Sequence, residues 1–215
     1  MHIPDGFLSP QTYLPAYAAA AGLWAYAARR VRRELDADTL PFLAACTALS
    51  FVLMMVALPL PGGTTAHAAG VGLLAVCFGG WMTFLAVSLV LAMQALLFGD
   101  GGVTALPLNA LAMGFVGGFA ARGAWNLLGR LHPATALFLA GWLSLALPAL
   151  LVAVALGVQP LIARDAGGAP LFFPFDLAIT LPAVVLPHLL LGVAEGVLTV
   201  LGHRYLTRLR ARTAA

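Results

Sequence analysis

Residues 65–98 read TAHAAGVGLLAVCFGGWMTFLAVSLVLAMQALLF, and whether this stretch crosses a membrane once or twice decides the architecture of the whole chain. As one straight helix rising about 1.5 Å per residue it would extend about 50 Å. A hydrocarbon core is only about 30 Å thick. Gly79-Gly80 lies inside the stretch and offers a tight turn. A hairpin of two short spans, 65–79 and 82–98, is therefore expected.

Outward from this hairpin, apolar runs recur at 10–28, 41–58, 107–127, 134–158 and 177–201, giving seven segments in all. The chain of 215 residues is 62% hydrophobic and only 9% charged, with a mean hydropathy of +0.98. The runs are continuous and not alternating, which predicts helices and argues against barrel strands. The expected fold is all-α: a polytopic membrane helical bundle of about seven transmembrane helices, with residues 1–215 forming a single integral membrane domain.

Charge tests that count. The chain contains no lysine, so its net charge of +3 rests on arginine. With the N-terminus outside, Arg29, Arg30, Arg32, Arg33, Arg122, Arg130, Arg204, Arg208, Arg210 and Arg212 fall on or near the cytoplasmic side, and Arg164 outside. One span fewer would reverse Arg122, Arg130 and the basic tail. The positive-inside rule thus predicts an outer N-terminus and a cytoplasmic C-terminus. The basic charge reads as orientation in the lipid bilayer, with no nucleic acid implied.

Asp5, Asp100, Asp165 and Asp176 lie towards the outer face, whereas Glu34, Asp36 and Asp38 share the first cytoplasmic loop with arginines. Cys46 and Cys77 fall inside apolar runs and read as small packing residues. Ala16/Ala20, Gly114/Gly118 and Gly192/Gly196 are spaced for close helix contact. Those pairs serve internal packing or, on the first span, the docking of a partner membrane protein.

The opening residues MHIPDG are the polar exception. No basic stretch precedes an apolar one here, so a cleaved leader is not expected. A free α-amine and the backbone nitrogen of residue 2 close a five-membered chelate around a metal ion. That nitrogen and His2 Nδ1 close a six-membered one. Three nitrogens are then nearly coplanar, but the amide must lose its proton, which favours metals preferring square-planar nitrogen coordination. Tetrahedral Zn(II) gains less.

His67, in PGGTTAHAAG at the outer mouth of the third span, is the candidate fourth donor. Pro4 limits the tail's freedom, and Asp5-Gly6 turns it into the first span. Taken alone, each feature is ordinary: a histidine at position two is common, and a histidine beside Gly-Gly-Thr-Thr is usual loop chemistry.

Four blocks extend the reading: MHIPDGFLSP at the start, GTTAHAAG, ALLFGDGGVTALPLNALAMGFVG and PHLLLGVAEGVLT. In order and spacing they resemble the CbiM/NikM membrane components of energy-coupling-factor transporters, which take up cobalt or nickel. The resemblance covers nearly the whole chain. It implies a substrate-binding subunit in a bacterial or archaeal cell membrane whose N-terminal tail inserts into the bundle. The ion, Ni2+ or Co2+, is transported and is not a cofactor. It would be held by the Met1 amine, the backbone nitrogen and imidazole of His2, and the imidazole of His67. An unblocked Met1 is then essential.

The family usually has histidine in the loop where this chain has Phe98-Gly99-Asp100-Gly101-Gly102. Asp100 is expected to orient a ligating histidine or attract the ion. Asn109 matches an asparagine of the same block and is expected to hydrogen-bond across the pocket or to serve helix packing. His188 and Glu195, seven residues apart, share one helix face. Ionisable groups inside a bilayer point to function, here against a plain interhelical hydrogen-bond network, and neither is assigned as a ligand.

A phosphate-binding loop needs a lysine that this chain lacks, so ATP hydrolysis is expected from separate subunits and no enzymatic activity from this one. The resemblance implies a transmembrane coupling subunit, two cytosolic ATPases and a small accessory membrane protein as partners. One rival is a self-powered, proton-coupled divalent metal carrier relaying protons through His188 and Glu195. Another is an intramembrane enzyme using His67, Asp100 and His188, for which no nucleophile elbow or paired-histidine motif speaks. A vitamin-binding subunit of the same transporter class leaves the opening chelate unexplained. Nickel and cobalt stay undistinguished.

Overall fold

A computed structural model describes residues 1–60 and 65–213, with side chains as far as Leu209. Residues 61–64 of the PGGTTAHAAG stretch and the side chains of Arg210 and Arg212 lie outside the described residues. The structure is mostly helical, as the sequence predicts. Helix α1 (Pro10–Glu34) starts on a proline, whose missing N–H costs nothing in a first turn. Its last turn carries Arg32 and Arg33, which suit the negative end of a helix dipole. Helix α2 (Thr39–Met55) turns Cys46, Ser50 and Met54 inward at a spacing of four. A short antiparallel pair, β1 (Leu58–Pro59) and β2 (Thr65–Ala66), follows it.

The stretch at 65–98 does break at Gly79, where φ is 83°, but the two arms are unequal. Helix α3 (Val71–Phe78) has 8 residues, whereas α4 (Gly80–Met93) has 14 and continues through a π-helical turn at Gln94–Phe98. At about 1.5 Å per residue α3 is about 12 Å long. The expected span at 65–79 is therefore corrected to a half-length helix preceded by an irregular segment. Hydropathy scores Ala66, Ala68 and Ala69 as membrane helix, but Gly70 sits at φ 66°, a left-handed conformation that stops a helix from extending backwards.

Helices α5 (Leu106–Asn109) and α6 (Gly118–Leu128) are joined by a π-helical stretch at Ala110–Gly117. Then come α7 (Pro133–Gly157), the short α8 (Gln159–Ile162) and α9 (Leu177–Thr213). The segments Gly80–Phe98, Pro133–Ile162 and Leu177–Leu209 are long and apolar enough to cross a membrane. The other expected spans fall on helices that are alanine-rich, short or interrupted.

Helices α7 and α9 pack along each other, and α3 is wedged among α6, α7 and α9. Glycines permit this: a Cβ on Gly72 would stand 2.6 Å from the Gly141 Cα, and one on Gly141 would stand 2.8 Å from the Gly196 Cα. Both ends of α3 meet a charge of the right sign. Glu195 Oε2 of α9 accepts the Ala69 N–H at 2.9 Å, and Arg122 of α6 donates to the Val76 carbonyl at 2.9 Å.

All three small-residue pairs are turned into the bundle. Ala16 and Ala20 are buried, Gly114 and Gly118 lie against Phe84 and Thr83, and Gly192 and Gly196 lie against Trp142 and Phe138. This is the internal-packing alternative.

Candidate functional site

The N-terminal tail runs into the bundle. Met1 and Ile3 are fully buried and His2 is 2% exposed, which few chain ends are. Ile3 is clamped through its backbone: its N–H donates to Asn109 Oδ1 at 3.0 Å, and its carbonyl accepts from Asn109 Nδ2 at 3.2 Å and from the Gly102 N–H at 2.9 Å. An asparagine side chain offers a donor and an acceptor side by side, so it can pair with both polar groups of one residue. Asn109 sits where α5 gives way to the π-helical stretch.

Asp5 takes the next hold. Its carboxylate accepts the N–H groups of Val103 and Thr104 at 3.0 and 2.8 Å and the Thr104 hydroxyl at 2.5 Å. Burial raises its pKa, but these bonds outweigh that and keep Asp5 below the ordinary carboxylate value. Gly6, at φ 83°, turns the chain, and the Ser9 N–H donates to Gln159 Oε1 at 2.9 Å on the way into α1. The loop opposite cannot carry side chains here. A Cβ on Gly102 would collide with the Asp5 amide, and Gly101 has φ 81° and lies against His2.

The second wall is the segment before α3. His67 is 1% exposed. Ser50 of α2 donates to the Ala69 carbonyl at 2.5 Å while Glu195 receives the Ala69 N–H, so two helices seat His67 from below. The rings of His2 and His67 lie with centroids 4.6 Å apart. The Met1 amine donates to Thr65 Oγ1 at 3.1 Å, two residues from His67. Burial pushes that amine from 8.0 down to about 4, with Asp100 opposing, so it is neutral at pH 7 and keeps its lone pair. Burial likewise lowers His2, against the Asp100 contact that favours its charged form.

His67 Nδ1 lies 3.2 Å from the Ala68 carbonyl, which leaves the lone pair on Nε2, and that atom has no hydrogen-bond partner. Two neutral imidazoles and a neutral amine thus meet in one dry place, a donor set suited to a transition-metal ion. Among the described residues no three His, Cys, Asp or Glu side chains converge as a ready cluster. The site becomes legible only when chain-end and main-chain nitrogens are counted.

Asp100 stands where it was not expected. Its Oδ1 is 2.9 Å from His2 Nδ1, the very nitrogen the opening chelate needs, in a close contact and not a well-aligned hydrogen bond. Burial works against its ionised form, but the His2 contact wins and holds Asp100 below its usual value. Glu195 Oε2 accepts the Ala69 N–H at the head of α3, while its buried Oε1 has no hydrogen-bond partner. Sequence reasoning missed Thr65, Gln159 and the neighbourhood of His188, which lies within electrostatic reach of the Met1 amine and His67. No local motif marks any of the three.

Residues 2–213 match the family described as CbiM, cobalt uptake substrate-specific transmembrane region. The chain is 45% identical over 206 residues to the fused nickel transport protein NikMN of Rhodobacter capsulatus, covering 93% of this chain and 59% of that one. It is 42% identical over 212 residues to the Lactiplantibacillus plantarum protein named "Probable fused nickel transport protein LarMN", covering 97% and 65%. The chain thus spans less than two thirds of either fused relative. A solved structure described as a truncated transition metal transporter superposes with a TM-score of 0.93 at 40% identity, covering 97% of this chain and 99% of that one.

Proposed function

Since the chain belongs to the CbiM family of cobalt-uptake transmembrane regions, we propose that it is the substrate-binding membrane subunit of an energy-coupling-factor importer for Ni2+ or Co2+. The ion is gripped by the Met1 amine, the deprotonated backbone nitrogen of His2, His2 Nδ1 and His67 Nε2. The observation that carries this reading is the 4.6 Å approach of the His2 and His67 rings beside a buried chain end. Residues 1–215 act as one domain with an inserted tail.

In the empty site Asp100 holds the His2 nitrogen. On capture the ion replaces that contact, and the carboxylate, left beside the complex, offsets part of its positive charge. The amide proton is released in the same event, so binding strengthens as pH rises. A transmembrane coupling subunit and two ATPases supply the power stroke. The names of the fused relatives, in which a second part is joined to this one, support such company.

The test is calorimetric titration of the purified full chain with Ni2+ and Co2+, alongside a form carrying one extra residue before Met1. The extension moves the amine away and is expected to abolish tight binding of both ions. Unchanged affinity would end the proposal.

A further inference from the structure

His188 has no role in the four-nitrogen set, yet its ring is fully buried on α9, directly after Pro187 inside that helix. Its Nδ1 lies 2.7 Å from the Val184 carbonyl. A carbonyl only accepts, so Nδ1 carries the proton and Nε2 the lone pair. That Nε2 is buried without a hydrogen-bond partner, a costly state for a polar atom unless something else satisfies it. His67 is prepared in the same way, with Nδ1 turned to a backbone carbonyl and Nε2 unpartnered.

The location narrows the purpose. Helix α9 packs on β2. His188 lies beside the backbone of Thr65, whose hydroxyl receives the Met1 amine, and within electrostatic range of that amine and of His67.

Resting on the reading of the N-terminal site above, we propose that His188 Nε2 is a fifth nitrogen donor, taken up on one face of the square plane, and that it sets the preference between cobalt and nickel. The two ions differ in how they treat an axial ligand. Low-spin Co(II) has a single electron in the orbital along the axis and bonds an axial imidazole. Low-spin Ni(II) has two electrons there and repels it. One histidine above the plane therefore strengthens cobalt binding and leaves nickel binding almost untouched, a selectivity by geometry and ligand number. Because no three acidic, cysteine or histidine side chains already converge among the described residues, the ring closes on the ion as the ion enters.

The experiment uses the purified full chain, loaded anaerobically with Co(II) or Ni(II), as wild type, His188→Ala and His188→Gln. Co(II) affinity is expected to fall on the order of tenfold or more, and Ni(II) affinity to stay within about twofold. Electron paramagnetic resonance of wild-type Co(II) protein is expected to show a low-spin signal whose cobalt lines are each split in three by one axial nitrogen, with that splitting gone in both variants. Retained square-planar Ni(II) absorption shows that a variant is folded. Absence of the splitting in the wild type, its persistence in the variants, or equal losses for the two ions overturns the proposal. Failure of the parent reading looks different: the one-residue extension would then leave wild-type binding of both ions intact.

Discussion

The two walls of the site are built in opposite ways. The tail wall is docked: Ile3 and Asp5 are held through Asn109, Gly102, Val103 and Thr104, all from a loop and a helix about a hundred residues away. The His67 wall belongs to the bundle, seated by Ser50 and by Glu195 at the head of α3. Water could replace the exposed Asp5 bonds of the first wall. It could not replace the buried Ile3–Asn109 bonds or those of the second wall, where a lost partner leaves a buried group unmet. The hold at Asp5 is therefore the one that can open, on a seat that stays put.

That contrast can be broken most sharply with the ligands themselves. His67→Ala leaves three linked donors, whereas a one-residue extension removes the amine and displaces the chelate. Calorimetry is expected to show a larger loss for the extension, both exceeding the roughly 10–100-fold cost of changing an outer partner.

Next comes Glu195→Ala, which strips the acceptor from the head of α3. It is expected to cost about 1–3 kcal/mol in stability for the buried N–H left unmet, seen as an earlier thermal transition in detergent, with Glu195→Gln milder. Asp5→Ala should do the reverse. It is expected to cost little in stability, since its bonds to Val103 and Thr104 are exposed, but to weaken ion binding on the order of tenfold by loosening the tail. Equal effects of the Glu195 and Asp5 variants on both readouts would erase the distinction between seat and tail.

The last effect expected is one of pH. The folded amine titrates near 4 and the unfolded one near 8.0, so between these values the unfolded chain holds the extra proton. Stability contributed by the docked amine is then fully present above pH 8 and lost as the pH falls towards 4. Asp5, held below 3.8, adds a loss only at still lower pH. The groups near the amine are Asp100, His2, His67 and His188. Thermal melts from pH 8 to 4 should show the decline, and N-terminal acetylation should flatten it.

The sequence carried more of the site than of the fold that holds it. MHIPDG and His67 are legible because chelate chemistry depends on bond counting along the chain, whereas the close approach of the tail to Gly101 and Gly102 was not read from it. Asn109 was legible as a residue, but its pairing with Ile3 was not, since the partner lies 106 residues away. The length of α3 escaped because hydropathy weighs apolar content and ignores backbone conformation. Gly70 and Gly79, left-handed or extended at its two ends, were the available signal. The π-helical stretches have no signature in composition, and His188 drew attention only as one of a pair. Its neighbours come from β2 and the chain end, which no helix-face argument reaches.

Helix α3 has a further consequence. It leads from the seat of His67 to Phe78 and Gly79, which border a cavity of about 400 Å3 shared with Arg30, Glu34 and Arg122. Its eight residues, at about 1.5 Å each, put that cavity only about 12 Å along the helix from the end that seats His67. What separates the two is one short plug of valine, glycine, leucine, alanine, cysteine and phenylalanine.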